Sequence, residues 1–71
     1  MNIKTQNKIN KLIDTYNTKQ NKFKMIFNID NNEYLKYEIR LKGPMDYIYY
    51  VGGASSQVKI INKIQKLINE I

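Results

Sequence analysis

Between residues 35 and 42 the chain alternates without a break. Leu35, Tyr37, Ile39 and Leu41 are apolar, and Lys36, Glu38, Arg40 and Lys42 between them are charged. Only an extended strand puts every second side chain on one side, so the segment predicts a strand with one core face and one wet face. Such a strand is not stable alone. It needs neighbours to pair its backbone and a second layer to cover its apolar side.

Both flanks supply neighbours. From Phe23 the period is again two, with Phe23, Met25, Phe27 and Ile29 facing one way and Lys24, Ile26 and Asn28 the other. Asp30-Asn31-Asn32-Glu33 comes next as a hairpin turn, because Asn tolerates the left-handed backbone that tight turns demand. Gly43-Pro44 breaks the chain after the second strand. Asp46-Tyr47-Ile48-Tyr49-Tyr50-Val51 then forms a third strand, ended by Gly52-Gly53. Its inward set is either Tyr47, Tyr49 and Val51 or Ile48 and Tyr50.

The covering layer is helical. Ile9, Leu12, Ile13 and Tyr16 repeat at the spacing of one helix face, over about residues 4–16. The turn-forming run Asn17-Thr18-Lys19-Gln20-Asn21 is expected to end that helix. From Val58 onward, Ile60, Ile61, Ile64, Leu67, Ile68 and Ile71 make a second apolar face, expected to stay packed to the last residue. Ser55 or Ser56 caps its start. The expected fold is α+β in the order α-β-β-β-α: a three-stranded antiparallel meander with two helices packed on one face. Seventy-one residues are expected to form one compact domain, 1–71.

Composition narrows the chemistry. There is no histidine and no cysteine. That removes the usual general base near neutral pH, the thiolate nucleophile and most transition-metal ligands, so no enzymatic activity, cofactor or metal is expected. Asp30 and Glu33 flank a turn where a hard cation is conceivable, although a charged turn is the commoner arrangement. Gly52-Gly53-Ala54-Ser55-Ser56 puts a flexible turn at a helix N-terminus, where free amides hold anions, but it lacks the Lys-Ser/Thr ending of a phosphate-binding loop. No apolar run reaches a membrane span and no signal-peptide pattern opens the chain, so a cytoplasmic location is expected.

What remains is binding. The net charge is +6, and it rides on the helical segments: residues 1–24 hold six lysines against Asp14 alone. Lys4, Lys8 and Lys11 fall on one side of the first helix, and Lys59, Lys63 and Lys66 form a stripe on the second. Together they are the candidate nucleic-acid-binding residues, because several lysines on one side neutralise several phosphates. Lysine stripes are also the ordinary solvated face of an amphipathic helix. Tyrosine is the second signal, with six in the chain. Tyr34, Tyr47, Tyr49 and Tyr50, with Lys36 and Arg40, are the candidate protein interface, since tyrosine suits surfaces that are both apolar and hydrogen-bonding. β-propensity and core filling explain tyrosines equally well.

The element order, the length and the segment Gly52-Gly53-Ala54-Ser55-Ser56-Gln57-Val58-Lys59 at the entry to the last helix resemble the double-stranded RNA-binding domain family. The resemblance implies duplex RNA as a partner. Lys59 alone matches the lysines that the family clusters there, and Asp30-Asn31-Asn32-Glu33 stands in place of its Gly-Pro-x-His loop. The leading expectation is a small binding module that contacts nucleic acid or a nucleoprotein through helical lysines. The alternative is a phage- or plasmid-encoded inhibitor of host defence, of the anti-CRISPR or anti-restriction type, acting by protein–protein contact. A homodimer sealed through a sheet edge or the tyrosine-rich face is a third expectation.

Overall fold

The computed structural model describes residues 2–29 and 36–71. The Asp30–Glu33 turn, with its candidate cation position, Tyr34 and Leu35 lie outside the described residues. The elements take the expected order. Helix α1 spans Ile3–Lys19, strands β1, β2 and β3 span Lys24–Ile29, Tyr37–Lys42 and Ile48–Ala54, and helix α2 spans Gln57–Asn69. The three strands form one antiparallel sheet in the order β1-β2-β3, with β2 in the centre.

The register decides what is inside. Met25 lies opposite Leu41 and Phe27 opposite Ile39; on the other side Gly52 lies opposite Ile39 and Ala54 opposite Tyr37. These residues share the covered face. There Met25, Tyr37, Ile39, Leu41 and Ala54 join Ile9 and Tyr16 of α1 and Ile60, Ile64 and Ile68 of α2 in one buried cluster. Leu12, Ile13, Phe23, Phe27, Ile61 and Leu67 pack around it. Both helices cover this single face of the sheet, α1 chiefly over β1 and α2 over β2 and β3. The opposite face, carrying Ile26, Arg40 and Val51 in one cross-strand row, is uncovered.

Both helices start on side-chain caps. Asn2 accepts from the Thr5 amide at 2.8 Å and Ser56, not Ser55, accepts from the Lys59 amide at 3.2 Å. Gln57 donates to the Tyr37 hydroxyl at 3.3 Å, tying the start of α2 to the central strand.

Helix α1 ends at Lys19, inside the run expected to end it, and three other boundaries differ from the sequence expectation. The last turn of α1 is fastened to β1. The Asn17 side-chain amide accepts from the Met25 N–H at 2.7 Å and donates to the Met25 carbonyl at 3.3 Å. Gln20 holds both backbone groups of Phe23 in the same way. Strand β3 does not end at Gly52-Gly53 but runs through both to Ala54, so these glycines lie in a ladder and not in a turn before α2. Helix α2 stops at Asn69, leaving Ile71 half-exposed, and Val58 faces solvent. Strand β3 starts at Ile48 and not at Asp46, because Pro44–Asp46 forms a single turn in which Met45 and Asp46 both have φ of 61°. Two successive left-handed residues are the geometry of a primed hairpin turn, which matches the twist of the flanking strands but suits Asn and Gly rather than Met and Asp.

Three outcomes are expected for stability. Replacing Asn17 with Ala leaves both Met25 backbone groups without their partner and should cost about 1–3 kcal/mol in urea unfolding. The pair Met45→Asn and Asp46→Gly should raise stability by about 1–2 kcal/mol, by relieving the left-handed strain. Burial pushes the Tyr16 hydroxyl above the ordinary tyrosine value. Its contribution to stability is therefore complete below the unfolded value of about 10 and is lost as pH rises through the folded value. Unfolding measured across that range should show a shallower alkaline decline for Tyr16→Phe than for the parent.

Candidate binding surface

The third strand carries an extra residue. Leu41 pairs with Tyr50 and Lys42 with Ile48, so Tyr49 has no partner on β2. Neither inward set offered by the sequence holds, because the bulge breaks the alternation and leaves both Ile48 and Val51 on the uncovered side. Beyond it, Tyr50, Gly52 and Ala54 take the covered side. Tyr49 joins that side as well, its ring lying over Gly43 and tilted against Phe23 at 5.3 Å between centroids. The Tyr50 ring lies over Gly52, where a Cβ would meet its Cε1 and Oη at 2.8 Å. Gly52 is needed for that close approach.

Few of the aromatics near β3 are deeply buried. Met45 is 88% exposed, Tyr47 64%, Tyr49 59% and Val51 54%, with Ile48 and Tyr50 also open to solvent. The turn and the first half of β3 thus form an apolar and aromatic ridge, along a sheet edge that has no further strand among the described residues. Of the expected interface residues, Tyr47, Tyr49 and Tyr50 belong to this ridge. Arg40 sits on the uncovered sheet face opposite Val51, paired with Glu38 of its own strand. Lys36 lies at the other end of β2, its ammonium 6.0 Å from the centre of the Tyr37 ring.

The lysines divide. Lys59, Lys63 and Lys66 line one shallow groove of about 450 Å³ together with Tyr50, Asn62, Leu67 and Glu70. Lys63 reaches from α2 to the sheet edge, donating to the Gly53 carbonyl at 3.1 Å. Lys4, Lys8 and Lys11 are exposed on α1 but none of them lines this groove. A further basic recess of about 460 Å³ holds Lys22, Lys24 and Lys42 beside Phe23. Lys24 and Lys42 are direct cross-strand partners, an unfavourable like-charge pair that only the register reveals. Among the described residues, no group of three or more acidic, histidine or cysteine side chains is placed to hold a metal ion. No helix of the described residues is long and apolar enough to cross a membrane.

Met45, Ile48 and Val51 were not singled out by sequence reasoning. Their β-branched or flexible apolar side chains look like core in a short strand. Only the edge position of β3 and the bulge turn them outward. Comparisons with protein-family models, curated proteins and solved structures return no match.

Proposed function

We propose that the chain is a non-enzymatic binding module that docks a partner protein on the β3 edge and the adjoining α2 lysine groove. The observation that carries this reading is the continuity of the exposed ridge from Met45 to Val51 with the groove lined by Lys59, Lys63 and Lys66. An apolar, tyrosine- and methionine-containing strip beside a charged rim has the composition of a protein interface. A module without a catalytic group acts by occupying a surface. That is how a phage- or plasmid-borne inhibitor of a host-defence complex would work, and the small size and charge fit that role.

Nucleic acid is the second reading, favoured by two features: the three α2 lysines converge beside Tyr50, and Lys22, Lys24 and Lys42 cluster at the far end of the sheet. Duplex RNA, the partner implied by the double-stranded RNA-binding resemblance, belongs here.

One experiment separates them. Fluorescence anisotropy with labelled duplex RNA, duplex DNA and single strands, over a salt series, should give only weak binding near physiological salt. In nuclease-treated extract, partner capture should be lost in the Met45→Ser, Tyr47→Ser double variant, which alters the two most exposed ridge residues. Tight nucleic-acid binding that falls steeply with salt, and disappears in Lys59→Glu, Lys63→Glu, Lys66→Glu, would instead establish the second reading.

A further inference from the structure

The two edges of the sheet are treated differently. Alternate residues of a strand direct their N–H and C=O groups to opposite sides. On β1 the outward groups of Met25 are taken by Asn17, and those of Phe23, just before it, by Gln20. Two side-chain amides thus stand where a further strand would bind, and the start of that edge is closed. Because the Met25 groups face Asn17, Leu41 opposite it directs its own toward β3 and exchanges them with Tyr50; by the same alternation Gly52 and Ala54 face β2, which leaves Val51 and Gly53 directing their groups off the sheet. The Lys63 ammonium on the Gly53 carbonyl reports that orientation independently.

Natural edge strands are blunted by charges, proline or shortness. Ile48–Ala54 has seven residues with neither a charge nor a proline. The only protection among the described residues is Lys63, on one carbonyl. Charge lies beside the strand, not within it: Lys59, Lys63 and Lys66 succeed one another along α2 on the covered side, while on the uncovered face Arg40 and Lys42 of β2 stand opposite Val51 and Ile48.

Building on the protein-partner reading above, we propose that β3 accepts an extended acidic segment of the partner as a fourth strand. The segment would exchange backbone hydrogen bonds with Val51 and Gly53 and set carboxylates against Lys59, Lys63 and Lys66. A fourth strand lies about 4.8 Å from β3, and Lys63, whose ammonium already reaches the Gly53 carbonyl at that edge, is placed to meet its covered-side residues. Every second residue of the incoming segment therefore faces the lysines, and those between lie beside Val51 and Ile48 on the uncovered face. The matching pattern is acidic and apolar in alternation, over about six residues. Charge complementarity selects this occupant. A second copy of the chain would bring three more lysines against the same row, and nucleic acid has no amide ladder to pair with the edge.

The test uses a fluorescein-labelled peptide of alternating Glu and Val, six residues long, against the whole chain. Anisotropy should report binding, and amide NMR should show the Val51 and Gly53 N–H signals shifted and their hydrogen exchange slowed. The affinity should fall at least tenfold for Lys63→Glu and for the same peptide N-methylated at alternate amides, which keeps its charge but removes its donors. A Lys–Val peptide should not bind. Equal binding of the N-methylated peptide, or unmoved Val51 and Gly53 amides, overturns strand addition while leaving the protein-partner reading standing. A concentration-dependent dimer that protects Val51 without peptide overturns it in favour of a second copy. If duplex RNA or DNA moves the same amides and displaces the peptide, the protein-partner reading itself falls.

Discussion

The structure hangs on the burial of Tyr37, Ile39 and Leu41, the three inward residues of β2. Among the described residues this is the only strand with a neighbour on each side, so its register fixes which residues of β1 and β3 turn inward. Its apolar stripe also gives both helices a surface to cover, and Ile9 and Ile60 are fully buried over it. A slip of one residue would exchange Ile39 for Arg40 and put a guanidinium under the helices. The clean alternation of β2 makes that error costly and leaves a single arrangement.

Placing β2 in the centre creates two edges of unequal character. The β1 edge is sealed at its start by the end of α1, where the Asn17 and Gln20 amides imitate a strand. The β3 edge is open and aromatic, with a row of ammonium groups along one side. Hydrophobic area and positive charge are thus adjacent along this edge. A surface of this kind discriminates by backbone conformation and by charge together, because a ligand that satisfies only one finds the other unfavourable.

Much of the fold was legible because it depends on periodicity. The alternation in 35–42, the repeat Ile9, Leu12, Ile13, Tyr16 and the Ile-rich face of the last helix each specify an element and the side it buries. What escaped is what depends on partners distant in sequence. Asn17 and Gln20 read as turn formers until Met25 and Phe23 are placed beside them. Gly52 and Gly53 read as a stop until the Tyr50 ring is seen to need the space over Gly52. The like-charge meeting of Lys24 and Lys42 exists only in the register. The site was half legible: tyrosines and lysines stood out by type, but their division between α1, α2 and the β3 ridge comes from which strand lies at the edge.

The bulge at Tyr49 also sets how this chain can change length over generations. Because Tyr49 has no partner, losing that one residue would close the ladder between Ile48 and Tyr50 and leave every other pairing in place. Loss of a residue between 50 and 54 would instead slide the glycine pair and Ala54 out from beneath α2 and reverse the faces of the remaining strand residues. Insertions and deletions in β3 are therefore filtered by position. The ridge can shorten at its bend, while the stretch that carries the open amides is held to a fixed count.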